Sequence, residues 1–594
     1  MQRDVPHAVL QSETPHTPHH IHHLPPEILA TIFLELALDI DPFDNTSHET
    51  VPFVLVTHVC STWRTIALEY QALWCNIPSK AFGNELLRTM LDRSKGAPLT
   101  IRYRSRKLSD AHPARGDPKA ASIFGAVTPE LHRLRSLEIR ENHHPISLSR
   151  AILQEHWSDA SAPLLEKLVI FAEDVLCSGL SDSKFLKGGC PNLKHLEVVE
   201  YSFPIWEVLP LGTSLTHLIV ECHPGRQNHP WPAMDQLWAA LKRMRHNLEY
   251  LRIGDLLLAP MNQGMVAADQ LEREVSLPKL RHLILADVPD PLVFFLRKVT
   301  FPKSTSVDIK VHGSLSRSAR LLPCVVESLR AAWEGPHDAH ASGAGFMVEE
   351  LNISVGCDEG SAIWKQWILV GRDDEGSEIW KQWKHVSSRI TLAFADRGDL
   401  SITTYLGPGE HLCTLDIFPI LNAQLDLSPL RILRLGALKQ SFPEAVWQDV
   451  FAPLPQLGTI RFKDSEAMGF LRWLRNDPSI ATTMTSDDEA LLPESSSAPV
   501  RESRTTSRPW LPKLSKLEFD SVSLAEEEKI PAALLLLDLL GKRSALKSQG
   551  CPPIQVKFRR CDWFSRGDYE KELLEMPDVS VCWDEMDLED CLDR

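Results

Sequence analysis

Gly541-Lys542-Arg543-Ser544 has the residue types of a phosphate-binding loop. It lacks the upstream glycine and the Lys-Ser adjacency with which such a loop cradles phosphates. The chain contains no GxSxG elbow, no HExxH pair and no two cysteines at zinc-ligand spacing. Cys60 could offer a nucleophilic thiolate. It stands among apolar neighbours in a stretch that reads as mid-helix, where a buried structural thiol is the better reading. His19-His20-Ile21-His22-His23 could hold a metal ion, but no Cys or acidic residue stands beside it at ligand spacing, so it reads as a solvated tail. Arg115-Gly116-Asp117 and Arg566-Gly567-Asp568 match an adhesion tripeptide, too short a motif to carry a function. The 24 histidines form no catalytic set. The sequence therefore points away from an enzyme, and no cofactor or metal is expected.

Composition narrows the partners. Lys+Arg 63 against Asp+Glu 79 gives a net charge of −16. A general nucleic-acid binder needs a basic surface that displaces counterions, so nucleic acid is not an expected partner. The first residues have no apolar h-region, and Ile530 to Leu540 is too short an apolar run to span a bilayer. A soluble chain of the cytoplasm or nucleus, with no membrane partner, is the expectation. The twelve cysteines then read as reduced thiols, and the sequons at Asn45 and Asn352 as chance. At 594 residues the chain is long enough for several domains.

Pro25 and Pro26 suit the first turn of a helix. Apolar residues follow at 28, 29, 32, 33 and 36 on one helical face, while Leu34 and Leu38 project from another. A helix apolar on two sides needs two packing partners, one inside its own module and one elsewhere. A second helix-sized piece runs from Val56 through Trp63 to Ala67, and the pair closes at Leu73-Trp74.

Leu24-Pro25-Pro26-Glu27-Ile28-Leu29, Ile32-Phe33, Val59-Cys60, Trp63-Arg64, Ile66-Ala67 and Leu73-Trp74 together resemble an F-box, in the variant common in mushroom-forming fungi. The resemblance covers residues 22–78. The polar insert 39–50 is longer than a compact F-box carries, and Ser61 stands where the family often has a basic residue. The resemblance implies an all-α module that binds the Skp-type adaptor of a cullin–RING ubiquitin ligase, and through it a cullin. It also implies that Leu24, Pro25, Glu27, Ile28, Ile32, Val59, Trp63 and Leu73 supply adaptor contacts and their supporting core; the alternative for Trp63, as for Trp74, is a place mainly in the core.

Beyond the module, Asn84–Ser94 reads as a helix and Leu99–Tyr103 as a strand. A pattern Leu-x-x-Leu-x-apolar then recurs. Its copies begin at Leu134, Leu165, Leu193, Leu215, Leu248 and Leu280, and later at Val348, Leu412, Leu430, Leu457 and Leu514. In the first block the copies are about 22 to 33 residues apart, the spacing of a repeat architecture. Each copy predicts a short strand with alternate side chains inward, and spans such as Asp235–Met244 predict the intervening helices. One such unit cannot bury its own apolar face, so neighbours must stack. Ser306–Val311 and Ile390–Phe394 fill two gaps in the spacing. The copies resemble irregular leucine-rich repeats. The expected fold class is α/β: an N-terminal all-α F-box-like module followed, over 84–583, by a leucine-rich-repeat solenoid. The resemblance implies that this solenoid binds a protein target of unknown identity. A non-ligase repeat scaffold, with the helical segment only capping the solenoid, is the alternative.

Other stretches add detail. Asp358–Trp367 returns almost unchanged as Asp374–Trp383. Near-identity marks a copying event more directly than it marks a Trp-bearing binding loop. Residues 1–21 and 484–508 read as disordered, 584–594 as an acidic solvated tail, and 554–558 and 579–583 as closing strands.

Overall fold

The structure, a computed structural model, describes residues 24–38, 52–78, 84–104, 125–141, 157–172, 186–200, 205–222, 234–257, 274–312, 315–334, 346–357, 365–372, 378–384, 386–394, 400–405, 425–436, 442, 444–465, 467–477, 510–522, 532–545, 551–559 and 580–583. The chain is a mixed α/β protein built on a large, mainly parallel sheet. It divides into two compact units, 1–170 with 185–192, and 171–184 with 193–594. The division therefore falls among the Leu copies and not at the end of the helical module.

The first unit opens with helices α1 (Pro26–Leu38), α2 (Pro52–Val56) and α3 (Ser61–Glu69). A 3-10 turn, Gln71–Trp74, leads to strand β1 (Asn76–Ile77). Helix α4 (Asn84–Ser94), β2 (Leu99–Arg104), β3 (Leu134–Glu141) and β4 (Lys167–Ala172) follow. Strand β1 pairs in parallel with β2, Ile77 opposite Ile101, and β2 with β3, Ile101 opposite Leu137. The helical module thus ends by adding a strand to the sheet. One side chain ties α4 to the entry of β3. Arg133 is buried, and its guanidinium donates to Glu130 (2.6 Å), the Ser94 hydroxyl (2.9 Å), the Ala97 carbonyl (3.0 Å) and the Leu91 carbonyl (3.1 Å). Three of these acceptors lie in the last turn of α4 or just beyond it, where carbonyls lack intrahelical partners.

In the second unit β5 (His195–Val199), β6 (His217–Glu221), β7 (Tyr250–Gly254), β9 (His282–Asp287) and β11 (Ser306–Val311) are successive parallel neighbours. The short β8 (Val275–Ser276) and β10 (Val299–Thr300) pair with each other. Helices α5 (Met234–Met244), α6 (Pro289–Lys298) and α7 (Leu315–Glu334) lie between strands in the chain. The register aligns Leu196, Leu218, Leu251, Leu283 and Val307 in one row, and Val198, Val220, Ile253, Leu285 and Ile309 in the next. All ten are buried. Each apolar side chain removed from water is worth about 1.5–3 kcal/mol, so these rows dominate the packing of the unit. On α5 the buried Leu237, Trp238, Ala240, Leu241 and Met244 share one helical face, and Trp238 stacks on Phe295 of α6 at 5.3 Å.

Two backbone regularities extend the motif. The residue three ahead of the first Leu closes a turn by accepting its N–H: Ala162 from Leu165 (3.1 Å), Leu277 from Leu280 (3.2 Å), Leu427 from Leu430 (2.9 Å) and Leu511 from Leu514 (3.0 Å). All four acceptor residues are buried. Seven residues after the first Leu, Glu200, Asp255, Asp464 and Ser521 all take left-handed backbone, with φ of 65°, 52°, 48° and 53°. Each donates its N–H to the neighbouring strand's end: Glu221, Ala286, Asp520 and Arg559 accept at 2.7–2.9 Å. The kink carries the ladder one residue beyond the strand and turns the chain away.

The middle of the unit departs from sequential order. Strand β12 (Phe346–Cys357) pairs antiparallel with β15 (Val386–Phe394), and β15 antiparallel with β16 (Leu400–Tyr405). Strand β16 joins β11 in parallel, and β12 joins β18 (Ile432–Gly436) in parallel. Residues 390–394 are thus a strand as expected but a reversed one. Strand β16, the true neighbour of β11, carries no Leu motif. Strand β13 (Lys365–Arg372), which takes in the end of the first duplicated segment, pairs antiparallel with β14 (Glu378–Lys384), which takes in most of the second; residues 358–364 and 374–377 of the duplication lie outside the described residues. The short β17 (Leu425–Asp426) also pairs with β12. From β18 the parallel order resumes through β19 (Thr459–Lys463), β20 (Lys516–Asp520), β21 (Gln555–Arg559) and β22 (Ser580–Trp583). Helices α8 (Met468–Arg475) and α9 (Ala532–Ala545) fall between these strands in the chain. The copy at Leu412-Leu415-Ile417, the tail 1–21, the insert 39–50, the stretch 484–508 and the tail 584–594 lie outside the described residues, as do both Arg-Gly-Asp tripeptides.

Candidate functional site

Helix α1 starts as its prolines require. Pro26 occupies the first helical position and the Pro25 carbonyl accepts from Ile28 (3.0 Å) and Leu29 (3.1 Å). Its apolar residues then separate into two sets. Leu29, Ala30 and Phe33 are buried, while Ile28 is 48% exposed and Leu36 49%. Ile28, Ile32 and Leu36 stand at i, i+4, i+8 along one side of the helix, with Ile32 half-buried between its neighbours. Leu24, a turn ahead, is also exposed. The second apolar side of α1 is therefore this row and not the one through Leu34, which is half-buried; the side chain of Leu38 lies outside the described residues.

The partner helices supply more exposed apolar surface. On α2 Val56 is buried, but Leu55 is 50% exposed, and Val59 in the following turn is 56% exposed. That turn is fixed by polar contacts. The Thr57 hydroxyl donates to the Val54 carbonyl (2.6 Å), and Arg64 Nε donates to the Thr57 carbonyl (2.7 Å). Cys60 is not mid-helix: it is the N-cap of α3, half-buried, its sulfur accepting from the Trp63 N–H at 3.5 Å. Its thiol thus has a structural place that the apolar neighbours did not reveal.

Beneath the exposed residues lies a complete small core. Trp63 packs on Phe33 with ring centroids 4.9 Å apart. Leu73 and Trp74 are buried, the Trp74 indole donates to the Ala67 carbonyl (2.7 Å), and the Arg93 guanidinium of α4 sits 4.4 Å over the Trp74 ring. Of the eight residues singled out from the sequence, Leu24, Pro25, Glu27, Ile28 and Val59 are exposed, Ile32 and Trp63 are half-buried, and Leu73 belongs to the core. Leu36 and Leu55 were not among them. The i+4 spacing from Ile32 pointed to Leu36; nothing in the spacing singled out Leu55.

Five large apolar side chains left outside a finished core are unusual on so small a module. Covering each would be worth about 1 kcal/mol at half exposure. Such a surface can do no bond-making chemistry; it can dock.

Several described polar groups make local contacts within the fold. Arg252 donates to both carboxylate oxygens of Glu221 (2.5 and 2.7 Å), across Gly254, where a Cβ would stand 3.1 Å from the Glu221 side chain. Asp255 faces His312 at 3.3 Å. Asp287 accepts from the Leu257 and Val288 N–H groups (2.9 and 2.7 Å). Burial, and then the charge of Asp255, push the Asp287 carboxyl well above the ordinary carboxylate range. Gly541–Ser544 forms the end of α9, where buried Arg543 donates to the Trp510 and Leu511 carbonyls and Lys542 pairs with Asp538 at 3.0 Å. Among the described residues no group of three potential metal ligands gathers, and no helix is long and apolar enough to cross a membrane.

No protein-family model matches the chain, and no curated protein matches it.

Proposed function

We propose that this chain is the substrate-recognition subunit of an SCF-type cullin–RING ubiquitin ligase. Residues 22–78 act as an F-box that binds a Skp-type adaptor and, through it, a cullin. The stacked strand–helix repeats form an irregular leucine-rich-repeat solenoid that binds the protein to be ubiquitinated. Catalysis belongs to the partner enzymes, and this chain supplies proximity in the cytoplasm or nucleus. The observation that carries the reading is the exposed row Leu24, Ile28 and Leu36, with Leu55 and Val59, on a module whose own core is already filled. A pull-down with a Skp-type adaptor tests it. Wild type retains the adaptor, and Ile28→Lys with Leu36→Lys loses it while melting at the same temperature. Failure of the wild type to retain any adaptor overturns the reading.

One observation favours a second reading, a non-ligase scaffold whose helical segment only caps the solenoid. Strand β1 pairs with β2, so the module is joined to the first repeats by backbone hydrogen bonds. On that reading, deleting residues 1–78 collapses the repeats and no adaptor is bound.

A further inference from the structure

The outward positions of the two parallel blocks in the second unit differ sharply in charge. In β5 to β11 the positions that alternate with the buried rows read His195, His217, Tyr250, His282 and Ser306; then Glu197, Ile219, Arg252, Ile284 and Asp308; then Val199, Glu221, Gly254, Ala286 and Lys310. His195, His217, Tyr250 and His282 stand in register, and their rings follow one another at 5.6 to 5.9 Å. This is a near-neutral, aromatic face.

In β18 to β21 the same positions align as three rows. The first is Ile432, Thr459, Lys516, Gln555; the second Arg434, Arg461, Glu518, Lys557; the third Gly436, Lys463, Asp520, Arg559. Six of these twelve residues are basic and two acidic, in a chain whose net charge is −16. The two carboxylates are engaged from within: Lys516 reaches Glu518 at 2.5 Å, and Arg461 reaches Glu518 at 3.5 Å and Asp520 at 3.6 Å. Glu518 is partly buried, yet the contact with Lys516 and the charges of Lys516, Arg461 and Arg559 hold its carboxyl below the ordinary range. The buried apolar positions of these strands are Leu433, Leu435, Ile460, Phe462, Leu517, Phe519, Val556 and Phe558, and Asp520 is buried beside them at the end of β20. The basic residues stand at the positions that alternate with this core, Lys463 exposed and Arg434, Arg461, Lys516, Lys557 and Arg559 half-buried.

We infer that the outward face of β18–β21 binds an acidic polypeptide segment of the protein this chain recruits. Charge complementarity selects the occupant. Four strands at about 4.8 Å spacing make a patch roughly 15 Å across, the span of four or five extended residues. A nucleic acid would overrun a patch of that size and meet the negative remainder of the protein, whereas a short acidic segment need not. Arginine forks and lysine ammonium groups in register suit carboxylate or phosphorylated side chains at alternate positions of such a segment. The naming of the segment's owner as the recruited protein rests on the ligase reading; the binding itself does not.

The test uses the full chain and a fluorescent twelve-residue peptide of alternating Glu and Ser, with an otherwise identical Gln peptide as control. The Glu peptide binds saturably, the Gln peptide does not, and added salt weakens the binding. Lys463→Glu with Lys557→Glu weakens it at least tenfold with an unchanged melting temperature. Lys279→Glu with Lys310→Glu, the same change in net charge elsewhere, weakens it less than twofold. If the first pair fails to fold, Lys463→Gln with Lys557→Gln takes its place. No saturable binding, or equal loss in both pairs, overturns the inference. So does tighter binding of a single-stranded oligonucleotide at the same ionic strength. Binding only after the acidic residues of 584–594 are changed to Asn and Gln overturns it too, by making that tail the occupant. Peptide binding without adaptor capture overturns the ligase reading alone, and the converse overturns this inference alone.

Discussion

The rings of Phe33 and Trp63 lie 4.9 Å apart and inclined at 53°, so that α1 and α3 are locked together by a contact to which Ile28 and Leu36 contribute nothing. Leu29, Ala30 and Phe33 centre about 110° around α1 from Ile28, Ile32 and Leu36. The buried and the exposed apolar residues thereby occupy different arcs of one helix.

This separation is measurable. Phe33→Ala costs about 3–5 kcal/mol, the range for deleting a buried aromatic ring, and lowers the urea midpoint of the first unit. Ile28→Ser with Leu36→Ser changes stability by less than about 1 kcal/mol, because both side chains are already half in water. Only the second variant is to lose adaptor while keeping its near-ultraviolet circular dichroism.

Arg133 joins α4 to the entry of β3 through four acceptors. Arg133→Ala leaves the Ser94 hydroxyl and the Leu91 carbonyl buried without this donor, at a cost of about 2–4 kcal/mol. Arg133→Lys recovers less than half of it, since an ammonium cannot reproduce the planar fork. Chemical denaturation of the two variants beside wild type reads the difference.

Asp464 is exposed and left-handed at φ 48°. Asp464→Gly removes the backbone strain and is worth up to about 1 kcal/mol of added stability. Asp464→Val, branched at Cβ, is destabilising at the same position. A stabilising valine would show that the kink is not held by the ladder.

Asp287 sets a pH dependence. Its folded carboxyl holds its proton to higher pH than the unfolded chain does, first through burial and then through Asp255, against the opposing N–H groups of Leu257 and Val288. The folded state therefore binds more protons between the ordinary carboxylate value and the raised one, and its contribution to stability falls as pH rises across that window. Asp255→Asn removes the neighbouring charge, although His312 then loses its partner at 3.3 Å. Urea midpoints taken from about pH 4 to 7 fall less steeply in this variant than in wild type.

The parallel rungs could be read from sequence because the copies whose burial is described place their apolar residues at buried positions. Leu193, Leu196 and Val198, or Leu457, Ile460 and Phe462, are all at most 1% exposed. The turn residue three ahead went unread since its identity varies, Ala162 in one copy and Leu277 in another. Strand direction was not legible at 386–405, because alternation is the same in a parallel and a reversed strand. On α1 the five positions 28, 29, 32, 33 and 36 form one wide arc, and periodicity could not say where burial stops within it. Cys60 went unread as a cap because sulfur is rarely asked to accept a helix N–H.

The reversed strand β15 has a kinetic meaning. Leu283 meets Val307 on the adjacent rung, but Val307 next meets Leu400, and Leu351 must find Leu433. From β5 to β9, and again from β18 to β21, each long parallel strand pairs with the long strand before it in the chain. Here the next neighbour of β11 is β16, beyond the excursion through β12 and β15, and closing that longer loop costs about 1 kcal/mol more than closing a rung of ordinary spacing. The pairings of β11 with β16 and of β12 with β18 thus raise the contact order of the second unit above that of a strictly sequential sheet, which slows its folding.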